Sequence, residues 1–173
     1  MGNDMIIGRG MRGPNPPGVA LNTFGVQFAE VEVDTETGVV KVLRVVAAHE
    51  SGRILNPLTA TSQIEGGIIQ GVGFALHEDR VLNEATGRMV NSNLHDYKLP
   101  TSYDTPEIES ILVPMSDPVA NNVGAKGLGE PPIIPTAAAI ANAVYDAISV
   151  RIRELPMTPA RILSALKGRS RHA

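Results

Sequence analysis

Between Phe24 and Glu50 the chain reads FGVQFAEVEVDTETGVVKVLRVVAAHE, two β-branched runs on either side of Asp34-Thr35-Glu36-Thr37-Gly38. Ala29, Val31 and Val33 alternate with Glu30 and Glu32, the period-2 pattern of a strand with one wet face. Gly38 closes the turn where a left-handed backbone suits it. A hairpin at this point commits the fold to an antiparallel pair whose dry face needs a cover.

The cover is written in a different period. From Leu58 to about His77, Ile64, Ile68, Val72 and Leu76 recur every four residues, which predicts a helix with one buried stripe, started by Asn56-Pro57. The run DRVLNEATGRMVN reads as a second hairpin around Asn83 to Gly87. Prolines then predict a loop up to Pro106, followed by a strand from Ile108 to Val113. Thr136 to Ile148 is an Ala-rich helix with Ile140, Val144 and Ile148 along one edge, and Thr158 caps a short last helix from Pro159 to Leu166. There is no βαβ rhythm and no internal repeat. The class is α+β, with antiparallel hairpins packed against helices.

At 173 residues and 43% hydrophobic, the chain supports one core, either a domain or one tightly joined piece of a larger one. Residues 1–20 read as a loosely ordered lead-in, 21–167 as the body and 168–173 as a basic tail. With 3% aromatics and no tryptophan, the core must be aliphatic. Cysteine is absent, and the four histidines show no H-x-x-x-H spacing. No disulfide, thiolate site or iron–sulfur ligation is therefore expected, and any metal must be held by something other than these side chains. The net charge is −3 with dispersed basic residues, which argues against a nucleic-acid surface. No apolar run approaches the roughly 20 residues of a membrane span, nor is there a signal-like stretch, so a cytoplasmic location is expected.

Chemistry has three places to sit. In QIEGGIIQGVG, residues Gln63, Gly66, Gly67 and Gln70 share one helical face opposite the apolar stripe. The face serves either close packing of another helix or a ligand held by side-chain amides. In HESGRILNP, Arg53 is placed to pair with a carboxylate or phosphate, or to be a surface Arg on a structural turn, and His49 reads as a hydrogen-bonded core histidine. In NNVGAKGLGEPP, glycines 124, 127 and 129 let the backbone offer N–H groups, with Lys126 adding charge for an anionic ligand. Glu130 precedes a helix start, so it is either a helix-cap acid or an ionised general base.

Taken in order, FAEVEVDTETGVVKVLRVVAAHESGRILNP, QIEGGIIQGVG, YKLPTSYDTPEIE and GAKGLGEPPIIPTAAAIANAV resemble the C-terminal part of the molybdenum-binding large subunit of the xanthine dehydrogenase and aldehyde oxidase family. The most specific element is Gly124 to Pro132. The resemblance implies hydroxylation of an aldehyde or N-heterocycle with water as oxygen source, and Glu130 as the base. It implies a molybdopterin cofactor, as Mo-pterin or its cytosine dinucleotide form, held jointly with a partner. Gln63, Gly66, Gly67, Gly124, Ala125, Lys126 and Gly127 would line the pterin. The implied partners are the remaining molybdenum-binding portion and the iron–sulfur and FAD subunits or domains. Glu50-Ser51 stands where the family often has Asp-Cys or Asp-Val, and the family's subunit is several times longer. A second reading is a truncated, non-catalytic module.

Overall fold

The computed structural model describes residues 7–11 and 13–169. Strands β1 (Phe24–Val33) and β2 (Val40–Glu50) form the expected antiparallel hairpin, paired from Phe24↔Glu50 to Val33↔Val40 with a register shift between Glu30 and Val31. Its turn is set by Asp34, whose carboxylate accepts from the N–H groups of Glu36 at 2.8 Å and Thr37 at 3.1 Å. Gly38 has φ 77°, the left-handed conformation the turn requires.

Helix α1 (Pro57–Leu76) starts where Asn56 caps it, the Asn56 side chain accepting from Thr59 N at 3.2 Å. Strand β3 (Glu107–Val113) follows, then α2 (Thr136–Ile148) and α3 (Pro159–Arg169). The sheet order is β1-β2-β3, and β3 lies parallel to β2, with Arg44↔Glu107 at one end and Glu50↔Val113 at the other. This parallel pair, joined by a crossover containing α1, is absent from the expectation of antiparallel hairpins. Long irregular chain between α1 and β3 hides the crossover in sequence. The second hairpin shrinks to one antiparallel bridge, Leu82↔Met89, closed by Gly87 N donating to Asn83 O at 2.8 Å.

Cross-strand partners sort the sheet into two faces. Ala29, Val45 and Ile108 turn inward with Ala47, against Ile64, Ile68 and Val72 of α1 and Ile140, Val144 and Ile148 of α2. Met157 and Ile162 complete this aliphatic core. Ile64, Ile68 and Ile140 are fully buried, and each such side chain contributes roughly 1.5–3 kcal/mol by leaving water.

Residues 7–11 and 13–23 carry neither helix nor strand and are almost wholly exposed. Of the expected tail, Gly168 and Arg169 end α3, and residues 170–173 lie outside the described residues, as do residues 1–6 and 12 of the lead-in. Among the described residues no helix is long and apolar enough to cross a membrane.

Candidate functional site

Residues Gly124–Lys126 of the loop Asn121–Glu130 are laid against Ser51–Arg53, just past the end of β2. Arg53 N donates to Gly124 O at 2.6 Å, Lys126 N donates to Ser51 O at 2.7 Å, and Gly52 and Ala125 form an antiparallel bridge. Gly124 is the backbone position this geometry demands, with φ 73° and no room for a Cβ, which would stand 2.4 Å from Ser116 Oγ. Asn121 serves the next residue twice, accepting from Ala125 N at 3.2 Å and donating to Ala125 O at 2.7 Å.

The consequence corrects the sequence reading of this loop. The N–H groups of Gly124, Ala125 and Lys126 are all consumed inside the chain, Gly124 N going to Asn121 O at 3.1 Å. The segment that stays open is one step further on. The N–H groups of Gly127, Leu128, Gly129 and Glu130 have no partner among the described residues, and a Cβ added at Gly127 or Gly129 would meet nothing within 4 Å.

Lys126 is also corrected. Its ammonium turns inward to Glu50 Oε2 at 2.6 Å and Asn22 O at 2.9 Å, with Asp117 Oδ2 at 3.7 Å. Glu50, which stands where the family often has Asp, is fully buried. A charged residue ending the apolar run VVAAH was the available signal.

Glu130 is exposed, and its carboxylate has neither an ion pair nor a hydrogen bond among the described residues. It is not a helix cap. Helix α2 begins at Thr136 after a turn through Pro131–Pro135, and its N-cap, Pro135, makes no side-chain cap bond. A helix dipole acts within the first turn, so it does not act on Glu130 here, against the sequence expectation. The next residues are instead pinned from below. Gln27 Nε2 donates to Pro132 O at 2.7 Å, and Thr136 Oγ1 donates to Gln27 Oε1 at 2.7 Å. His49 Nε2 lies 3.2 Å from the same Gln27 nitrogen. Sequence reading placed His49 in the core and missed Gln27 and Thr136, because a polar residue on the dry face of a strand has no local pattern to announce it.

On α1 the Gly-bare face divides. Gly67 is closed by Pro132, whose Cβ would stand 2.7 Å from an added Cβ, and Gly71 is closed by Thr136 at 2.4 Å. These glycines serve packing of the Pro132–Thr136 segment. Gly66, Gln63 and Gln70 are exposed, and Gly66 has nothing near its Cβ position. Gln63 reaches across to the loop, Nε2 donating to Gly129 O at 2.7 Å, and keeps its Oε1 as an acceptor. A cleft of about 360 Å³ lies between, lined by Ser51, Arg53, Asn56, Gln63, Leu128 and Gly129 among others. The Arg53 guanidinium has no ion pair among the described residues.

The arrangement offers one amide, one guanidinium and free backbone donors at a cleft, with the open carboxylate of Glu130 next in the chain to its lining residue Gly129. It can accept a proton and hold a polar, acceptor-rich ligand on one side.

The model of the molybdopterin cofactor-binding domain family matches residues 10–106. The chain is 45% identical over 148 residues to the putative xanthine dehydrogenase molybdenum-binding subunit of Escherichia coli K12, covering 86% of this chain and 19% of that protein. It is 41% identical to the aldehyde oxidoreductase molybdenum-binding subunit of the same organism, covering 84% and 20%. Among solved structures, the aldehyde oxidoreductase from Desulfovibrio gigas matches with a TM-score of 0.76 at 35% identity, over 84% of this chain and 15% of that one. The chain thus spans about a fifth of the curated relatives it matches.

Proposed function

The chain belongs to the molybdopterin cofactor-binding domain family of xanthine dehydrogenase and aldehyde oxidoreductase molybdenum-binding subunits, and from that premise we propose that it supplies one wall of a molybdenum hydroxylase active site together with its proton-accepting carboxylate, Glu130. The observation that carries this reading is the open segment Gly127–Glu130, its donors and carboxylate unspent while every rung before it is bonded inside the chain.

The residues present fit one flank of a pterin. The backbone at positions 66, 127 and 129 is open, a Cβ there meeting nothing within 4 Å, and the free N–H groups of Gly127–Gly129 suit the acceptor atoms of such a ring. Among the described residues no group of three or more His, Cys, Asp or Glu is placed to hold a metal, so the metal would come with its organic ligand. When bound, the cofactor supplies the two-electron redox chemistry of hydroxylation.

Gln63 Oε1, Gly66 and the Gly127–Gly129 backbone bind and orient that group, while Gly67, Gly124, Ala125 and Lys126 hold the wall in shape from behind. Arg53 adds a positive charge at the rim. Glu130 takes a proton from the oxygen that attacks an electron-poor carbon of an aldehyde or N-heterocycle. The pterin is Mo-pterin or its cytosine dinucleotide form. The remaining molybdenum-binding portion completes the pocket, and iron–sulfur and FAD subunits or domains carry the electrons away.

Replacing Glu130 with Gln in an enzyme assembled with that remaining portion tests the reading. Cofactor content persists and turnover falls by at least about 10²–10⁴-fold, the worth of a general base. Gln63→Ala instead lowers cofactor occupancy. Turnover within a few-fold of wild type for Glu130→Gln removes Glu130 as the base. The chain's share of about a fifth of its relatives favours one second reading, a folded module that neither binds cofactor nor catalyses. Molybdenum in the purified single chain at one atom per chain would rule that out.

A further inference from the structure

Glu50 and Lys126 form the most buried ion pair among the described residues, with side chains 0% and 9% exposed. Their bonds tie several segments of the chain together, with Asp117 Oδ2 a further 3.7 Å from the ammonium. Lys126 Nζ reaches Glu50 Oε2 at 2.6 Å, and Glu50 Oε1 accepts from Gly52 N at 2.6 Å. Lys126 also donates to Asn22 O at 2.9 Å, so the lead-in, the end of β2 and the glycine loop meet at one ammonium. Immediately beyond Lys126 the loop's N–H groups are no longer bonded to the described residues of the chain, and the open segment that ends in Glu130 begins, held only through the carbonyls of Gly129 and Glu130.

Burying two charges adds little net stability, since the desolvation cost offsets most of the attraction, and two apolar side chains of like volume would serve stability equally well. What an ion pair with fixed hydrogen bonds adds is direction. We propose that Glu50 and Lys126 are positioning residues: a buried electrostatic staple that fixes the root of the Gly127–Glu130 segment, and through it the place of the Glu130 carboxylate. Neither residue touches the reacting atoms. The catalytic consequence rests on the role proposed for Glu130; the staple itself does not.

Trypsin reads the staple on the full chain, because it must seat the lysine it cleaves after. Arg88, exposed just after the turn at residues 84–86, is the reference site. In the wild type, cleavage after Lys126 is slower than after Arg88 by at least about tenfold, as expected of a bond that opens only against a buried pair. In Glu50→Gln the Lys126 site approaches the Arg88 rate, while Lys41 in β2 and Arg161 in α3 stay protected. Wild-type cleavage after Lys126 as fast as after Arg88 overturns the proposal, and so does a Glu50→Gln chain in which Lys41 and Arg161 open in step with Lys126.

The double variant Glu50→Leu with Lys126→Met leaves no buried charge and keeps the fold. In the assembled enzyme it retains cofactor and KM but loses about tenfold or more in kcat, because a base displaced by an ångström transfers protons poorly. Wild-type kcat in that variant overturns the positioning role. Should Glu130→Gln keep full turnover, the functional reading fails while the trypsin result still decides the staple.

Discussion

His49 shows how a single side chain can be fixed by its neighbours' bonding rather than by its own chemistry. Thr136 donates to Gln27 Oε1, which leaves the Gln27 amide nitrogen as donor both to Pro132 O and to His49 Nε2. His49 Nε2 must therefore accept, and the ring proton sits on Nδ1, which has no partner. Burial holds the His49 pKa below its usual value, and a second ring proton would face the Gln27 amide hydrogens. The folded state then binds fewer protons than the unfolded chain, so stability is full above the unfolded pKa of about 6.5 and is lost as pH falls from there through the folded pKa. Urea midpoints taken from about pH 7 down to about pH 5 should decline in the wild type and flatten in His49→Gln. Equal slopes in the two proteins would show that His49 is not the group titrating. Histidine at position 49 was legible in the sequence as a core residue. Its partners were not, because Gln27 and Thr136 lie more than a hundred residues apart in the chain and only the packing of α2 on β1 joins them.

At the scale of elements, α1 separates two kinds of glycine that composition alone cannot tell apart. Added methyls at Gly67 and Gly71 would stand 2.7 Å from Pro132 Cβ and 2.4 Å from Thr136 Cβ, whereas one at Gly66 would meet nothing within 4 Å. Replacing helical Gly by Ala gains roughly 0.5–1 kcal/mol of helix propensity, and overpacking costs roughly 1–3 kcal/mol. Gly66→Ala should therefore raise stability by about 0.5–1 kcal/mol, while Gly67→Ala and Gly71→Ala lower it, with Gly71→Ala the worse. Denaturant titration of the three variants decides this, and a stabilised Gly71→Ala would show that α2 shifts freely on α1. Helix stripes, the hairpin and the cap at Asn56 were all readable because local period and turn chemistry carry them. The parallel seat of β3 was not, since register across a crossover is a long-range choice made by packing.

For the molecule as a whole, the sheet has one covered face and one bare one. Phe24, Val26 and Phe28 point outward from β1 at 59%, 51% and 69% exposure, joined across the sheet by Val46, Ala48 and Ile111. Beyond Phe28 the same face turns polar, where Arg44 pairs with Glu107 and Glu109. An apolar field with a charged border is the form of a surface that meets another surface. The chain spans about a fifth of the curated relatives it matches, and under the function proposed above the covering element is the remaining portion of a molybdenum-binding subunit. Alone, the chain should hide the field by associating with itself. Sedimentation should show mass rising with concentration, and Phe28→Lys, which sets a charge on the most exposed aromatic of the field, should return the chain to a monomer. The same substitution should weaken co-purification with the remaining portion, whereas Glu130→Gln should not. A wild-type chain that stays monomeric at high concentration, together with a Phe28→Lys chain that co-purifies as well as wild type, would mean that this face meets water in the assembled enzyme and that the missing portion docks elsewhere.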